Sequence, residues 1–214
     1  MSESNLSSLP QRLDLQSLER LKIYYDLLLK WQKTVNLVGP RTLDQFWDRH
    51  LLDSLQLLTL IRKFTTDNPQ TTIADLGTGA GIPGLLLALA GVENMTLVES
   101  DIRKSGFLRE VARVTEVKIT LENNRIEKIV GKDFDVILAR ALAPLPKLFD
   151  LAHPISKEDT TFIFPKGIKA EEEINDSKTG WQFSCLRHKS LSDDSGLILE
   201  ISNLKPQQGN SVNG

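Results

Sequence analysis

One stretch constrains this chain more than any other: Ile73-Ala74-Asp75-Leu76-Gly77-Thr78-Gly79-Ala80-Gly81-Ile82-Pro83-Gly84. An apolar run enters a turn of alternating glycines and leaves into an apolar segment at 82–90, which reads as strand, tight turn and helix. From Thr72 onward this texture repeats. Short runs rich in β-branched residues predict strands at 72–76, 95–99, 118–122, 134–139 and 160–165, and helical spacing predicts helices at 82–90, 102–114, 126–130, 144–153 and 168–175. That alternation specifies an α/β fold around a parallel sheet. The end departs from it: runs at 182–187 and 197–202 flank Ser192-Asp193-Asp194-Ser195-Gly196, which predicts a hairpin and a mixed sheet with an antiparallel C-terminal edge.

Before Thr72 the periodicity is helical. A helix over 14–33, capped by Asp14, turns Leu18, Leu21, Tyr25 and Leu28 inward. After Asn36-Leu37-Val38-Gly39-Pro40, Thr42 and Gln45 have capping-box spacing, and Leu43, Trp47, Leu51, Ser54, Leu58 and Ile61 share one face of a second helix reaching about Lys63. The reading is an N-terminal helical cap over 1–70, with its first ten or so residues disordered, a main domain over 71–205, and a disordered polar tail over 206–214. A length of 214 residues fits one domain with such an appendage. At 40% hydrophobic and 25% charged, the chain is an ordinary globular one. Net charge is 26 − 28 = −2, so any grip on nucleic acid must come from a local basic surface. The single Cys185 supports neither a disulfide framework nor a cysteine-based metal site, and we expect no metal. The N-terminus has no basic and apolar leader, and the longest apolar run is far below the ~20 residues of a membrane span, so the expected location is the cytoplasm.

Two cofactors fit the glycine turn. Gly79, Gly81 and Gly84 satisfy the dinucleotide pattern G-x-G-x-x-G, whereas Asp75, Gly77, Gly79 and Gly81 give D-x-G-x-G-x-G, associated with S-adenosylmethionine. Charge favours the second, because a carboxylate at the strand end repels a pyrophosphate and attracts a cationic methyl donor. Glu99, 22 residues after Gly77, stands where such folds place the acid that accepts from ribose hydroxyls.

The chain as a whole resembles the bacterial 16S ribosomal RNA guanine-N7 methyltransferases, historically called the glucose-inhibited division protein B family. The resemblance runs from about Leu27 to Ile201. It is carried by Trp31 with Asn36-Leu37, Arg49-His50-Leu51-Leu52-Asp53-Ser54, the turn from Asp75 to Gly84, Glu99-Ser100, Arg103-Lys104, Phe107-Leu108, Asn124-Arg125-Ile126-Glu127, Phe134-Asp135, Arg140-Ala141 and Lys166-Gly167. It implies a Rossmann-like class I S-adenosylmethionine-dependent methyltransferase with an N-terminal helical cap, acting as a monomer on 16S ribosomal RNA or the small ribosomal subunit. By resemblance, Gly77 and Ile82 contact the cofactor, Ile126 and Glu127 lie against its adenine, and Arg140 lines the pocket. The sequence departs from the family pattern in carrying Glu99 where Asp is common and Ala80 in place of a proline.

The residues suit that chemistry. The stretch after the fourth strand, Leu138-Ala139-Arg140-Ala141-Leu142-Ala143-Pro144, lacks the N/D-P-P-Y/F clamp of adenine amine methylation, and Cys185 lies far in sequence from the turn, as a buried structural cysteine would. Guanine N7 has a lone pair and no proton to lose, so no catalytic acid or base is expected. Arg140 fits either the cofactor or guanine O6, and beside a sulfonium it needs a carboxylate, a phosphate or a base edge as partner. Arg103 and Lys104, in a helix's first turn, suit either phosphate contact or solvated surface. Arg49 and Asp53, four apart, can pair across a helix turn, with His50 on the substrate side. Lys166, past the fifth strand, is expected at the RNA, while Glu171-Glu172-Glu173 reads as a solvated helix start. A methyltransferase for a small molecule or protein, supported if Arg49, Arg103, Arg140 and Lys166 fail to converge, is the alternative; an NAD-linked oxidoreductase or a non-catalytic binding module is more remote.

Overall fold

Asp14 caps the first helix, α1 (Leu15–Trp31), by accepting from the Ser17 amide at 2.7 Å, and helical spacing then buries Leu21, Tyr24 and Leu28. Tyr24, rather than Tyr25, takes the fully buried position, because its hydroxyl donates to the carbonyl of Ala80 at 2.8 Å and ties the helix to the glycine turn. The computed structural model describes residues 13–39, 43 and 45–207; Thr42, the first ten residues and 208–214 lie outside the described residues. Of the expected disordered tail, Pro206 ends a strand and the Gln207 amide donates to the Gly180 carbonyl at 2.8 Å.

Where one continuous second helix is expected, the chain forms a π-helical turn (Trp47–Leu52), a short helical turn (Asp53–Leu55) and α2 (Leu58–Asp67). Ser54 Oγ donates back to the His50 carbonyl at 2.7 Å, a bond that competes with the regular ladder and bends a helix.

The remaining elements are β1 (Ile73–Leu76), α3 (Gly84–Leu89), β2 (Met95–Val98), α4 (Ile102–Thr115), β3 (Thr120–Glu122), β4 (Phe134–Ala139), α5 (Leu145–Ala152), β5 (Ser156–Lys166), α6 (Ala170–Ser177), β6 (Trp181–Lys189) and β7 (Leu197–Pro206). The helix expected at 126–130 is only a 3-10 turn, Ile126–Lys128. The sheet order is β3-β2-β1-β4-β5-β7-β6, parallel from β3 to β5 and antiparallel along the β5–β7 and β7–β6 pairs. The mixed sheet with an antiparallel edge is the one the sequence predicts.

Every residue of β1 and of α3 is buried, as a strand and helix between two layers must be. One core lies between the sheet and α1, α2, α3 and α4; the other packs α5 and α6 on the opposite face. Crossovers run outward in both directions from β1 and β4, so a crevice opens at their carboxyl ends. In register, Leu76 sits opposite Ala139, which makes Gly77 and Arg140 leave neighbouring strands at the same level.

Candidate active site

A cavity of about 1190 Å³ occupies that crevice. Its walls come from Leu37 to Gly39, from Arg49, His50 and Asp53, from the glycine turn, from Arg140 to Pro144, from the end of β5, from Glu173 on α6 and from the loop between β6 and β7. Gln32 shapes the first wall, accepting from the amides of Leu37 and Val38 at 3.0 and 3.1 Å and donating to the Val38 carbonyl at 2.8 Å.

Asp75 is not at the cavity wall, where the charge argument on the sequence places it. Its side chain is fully buried beneath the turn, with Oδ2 accepting from Thr78 Oγ1 at 2.5 Å and from the Gly84 amide at 2.8 Å. The two donors are nearer than solvent, so the acid anchors the turn to the start of α3. Gly84 is required for that approach: a Cβ there would stand 2.6 Å from Asp75 Cβ and from Leu97 Cδ2. Asp75 Oδ1 is buried without a hydrogen-bond partner. Burial is the main reason its carboxyl is pushed up from an ordinary 3.8 to about 7; Thr78, Gly84 and Arg140 oppose the shift, and Glu99 adds to it.

A carboxyl whose folded-state value lies above its unfolded one holds an extra proton in the fold between about pH 4 and about pH 7, so its contribution to stability is lost as pH rises through that window. Compared with Asp75→Asn, the wild type is therefore expected to be relatively more stable to urea at about pH 5 than at about pH 8. An equal difference at both pH values would contradict the assignment. His50 acts in the opposite sense. Burial first, then Arg140, lowers it from 6.5 to about 4, so the stability of its neutral form is lost as pH falls through that range.

The turn itself presents backbone to the cavity. At Gly79, φ is +59° and only the Gly77 carbonyl, 3.9 Å away, lies near where a side chain would project. Main chain is thus open to close approach by a ligand, and the residues fit a cofactor lying over the turn. Glu99, nearly buried, folds its carboxylate onto this turn: Oε2 accepts from the Gly79 amide at 2.9 Å and Oε1 from the Asp101 amide at 2.7 Å.

Across the cavity, Arg140 is engaged on three sides. Its Nε donates to Asp53 Oδ2 at 2.5 Å, Nη1 lies 3.1 Å from His50 Nδ1, and Nη2 donates to the Arg49 carbonyl at 3.0 Å. A guanidinium only donates, so His50 Nδ1 is the acceptor and the ring proton sits on Nε2. Asp53 Oδ1 in turn accepts from Gln56 Nε2 at 2.9 Å and from Ser192 Oγ at 2.7 Å. The expected Arg49–Asp53 pair does not form, because the π-helical turn removes the i, i+4 alignment and Arg140 takes the carboxylate.

Of the site residues read from the sequence, Gly77, Gly79, Ile82, Arg49, His50, Arg140 and Lys166 line the cavity. Lys166 does so with its ammonium already held, by the Ala143 carbonyl and Glu173, each at 2.8 Å. Glu173 is therefore no solvated helix residue; it also accepts from the Leu145 amide at 2.8 Å. Gly81, Ile126, Glu127, Arg103 and Lys104 are not part of this wall. Ile126 is buried on the other sheet face, Glu127 is exposed, and Arg103 and Lys104 donate backbone amides to the capping carboxylate of Asp101. Cys185 is half-buried on β6, away from the cavity wall, and burial raises its thiol above the ordinary value. Sequence reasoning missed Gln56, Ser192 and the β6–β7 loop as site elements, and gave Asp53 the wrong partner.

The chain matches the family model described as rRNA small subunit methyltransferase G over residues 17–196. The chain belongs to that family. It is 48% identical over 186 residues to the ribosomal RNA small subunit methyltransferase G of Paramagnetospirillum magneticum, covering 87% of this chain and 88% of the relative. It is 43% identical to the protein of that name from Gluconobacter oxydans, covering 87% and 94%. Two solved structures share the fold alone. They are a ribosomal protein L11 methylase from Lactobacillus delbrueckii (TM-score 0.55, 23% identity, 70% of this chain and 78% of that one) and a magnesium protoporphyrin IX methyltransferase from Synechocystis with bound S-adenosylmethionine (TM-score 0.56, 14% identity, 88% and 97%).

Proposed function

We propose that this chain transfers a methyl group from S-adenosylmethionine to N7 of a guanine in 16S ribosomal RNA, within the cavity between the glycine turn and Arg140. The observation that carries the reading is the meeting, in one crevice, of an open glycine backbone with a charge-compensated arginine. The bound cofactor supplies an electrophilic methyl group, and the rest of the work is positioning. Gly77, Gly79 and Ile82 receive the cofactor and Glu99 offers remaining acceptor capacity to ribose hydroxyls; Ile126 and Glu127, outside the cavity wall, are assigned to its adenine end by the family resemblance alone. Lining acids (Asp53, Glu173, Asp193, Asp194) outnumber lining cations (Arg49, Arg140, Lys166), which suits a cationic methyl donor and opposes a pyrophosphate.

The volume exceeds the usual upper range of roughly 1,000 Å³ for a single-ligand site, so a base drawn out of its stack fits beside the cofactor. Three of the five N–H groups of Arg140 are engaged by protein, and the other two are donors for the O6 that neighbours N7. No proton leaves N7, which agrees with a His50 held neutral and hydrogen-bonded to Arg140 rather than poised as a base. Arg103 and Lys104, with no place in the cavity, are assigned to phosphate outside it. The acidic lining makes the cavity a place for a base, with the phosphate grip on its rim. We further propose that the protein works as a monomer in the cytoplasm; among the described residues no helix is long and apolar enough to cross a membrane.

Calorimetric titration tests the cofactor assignment. The wild type is expected to bind S-adenosylmethionine and not NAD. Gly79→Val is expected to lose about tenfold or more of that affinity while unfolding within a few degrees of the wild type, since its side chain enters open space and the left-handed backbone costs about 1–2 kcal/mol. NAD binding alone, or undiminished affinity in Gly79→Val, would overturn the assignment.

A further inference from the structure

We propose that Asp53 is a positioning residue whose carboxylate cancels the charge of Arg140 and so admits a positively charged sulfonium to the cavity. Among the described residues, Arg140 has one carboxylate partner, Asp53, and the contact is sheltered: the side chains are 22% and 12% exposed. Both residues line the same cavity as Gly77, Gly79 and Ile82. A guanidinium stays charged at any working pH, so without a counter-charge it repels every cation bound there.

Asp53 is itself held in place. Gln56 and Ser192 donate to its other oxygen, and Gln56 Oε1 accepts from the Leu191 amide at 2.7 Å, which fixes the acid between the helical layer and the β6–β7 loop. Two distant parts of the chain, 87 and 139 residues from Asp53 in sequence, thus converge on one carboxylate. Such a built carboxylate, opposite a turn that receives the methyl donor, sets the electrostatic character of the cavity rather than merely joining two elements. The inference rests on the methyl-donor reading of the cavity.

The test uses two ligands that differ by the sulfonium charge, S-adenosylmethionine and S-adenosylhomocysteine. An uncompensated unit charge weakens binding of a cation about tenfold at a separation of about 12 Å and an effective dielectric of about 20. Asp53→Asn is therefore expected to raise the Kd of S-adenosylmethionine about tenfold more than that of S-adenosylhomocysteine, and the double variant Asp53→Asn, Arg140→Gln returns the ratio to within about threefold of the wild type. Arg140→Gln alone shifts the ratio the other way, because it leaves Asp53 unbalanced; this arm stands even if Asp53→Asn fails to fold. A purely structural role would weaken both ligands by the same factor, and that result, or an unchanged ratio in Arg140→Gln, overturns the proposal. A wild-type protein that binds neither ligand overturns the proposed function along with it.

Discussion

Asp75→Lys is expected to abolish cofactor binding and to remove most of the protein's stability. The side chain is fully exposure-free beneath the glycine turn, with Leu97 and the start of α3 packed around it. A lysine there meets the Gly84 amide and the Thr78 hydroxyl, which now donate to the acid, and the nearby carboxylate of Glu99 is already held by the amides of Gly79 and Asp101. Burying an unpaired ammonium costs several kcal/mol, comparable with the ~5–15 kcal/mol that holds a typical domain together. The turn cannot stay as it is, since its start and the start of α3 are both fastened to this one oxygen. Urea unfolding and calorimetry check the outcome together. A soluble variant with wild-type midpoint and wild-type affinity for S-adenosylmethionine would show that Asp75 does not organise the turn. The origin of the effect differs from the one the sequence suggests, in which a carboxylate at the strand end attracts the cationic donor directly.

Arg140→Ala is expected to lower kcat/KM for methyl transfer by about a hundredfold or more, the scale seen when a donor aimed at a reacting centre is removed. Truncation also leaves Asp53, a nearly buried acid, without its cation, and His50 Nδ1 without its donor. Stability falls as well, by about 1–3 kcal/mol, because groups left unsatisfied pay their desolvation in full. Arg140→Lys does not rescue the rate, since one ammonium cannot reach Asp53, His50 and the Arg49 carbonyl at once as the planar fork does. Steady-state kinetics on small subunits lacking the modification decide the matter. Rates within about threefold of wild type in Arg140→Ala would remove this residue from the site.

The fold was largely legible because its signals are local. The β-branched runs of β1, β2 and β4, the glycine turn and the polar hairpin loop each carry their own periodicity or turn chemistry, and the antiparallel edge follows from two strands joined without room for a helix. Helical spacing misled at residues 47–57, where the apolar face is regular but Ser54 bonds back to His50 and the winding changes. The site was legible only in part. Gly79 and Arg140 stand at strand ends, where such folds hold ligands. Asp53 and Arg140 are 87 residues apart, and no local pattern joins them; only the layering of α1 and α2 against the sheet does. Lys166 shows the same limit, because Glu173 looks solvated in sequence and becomes its partner only when α6 packs beside α5. Asp75 is legible by its position but not by its role, since depth of burial is a property of the folded sheet.

Transfer of a tritiated methyl group from S-adenosylmethionine to small ribosomal subunits lacking the modification, followed by mapping of the labelled nucleotide, tests the central claim most directly. The account predicts label in 16S ribosomal RNA, confined to N7 of guanine and lost in Arg140→Ala. Label on another atom or in ribosomal protein, or none in naked RNA, ribonucleoprotein or intact subunits, would contradict it.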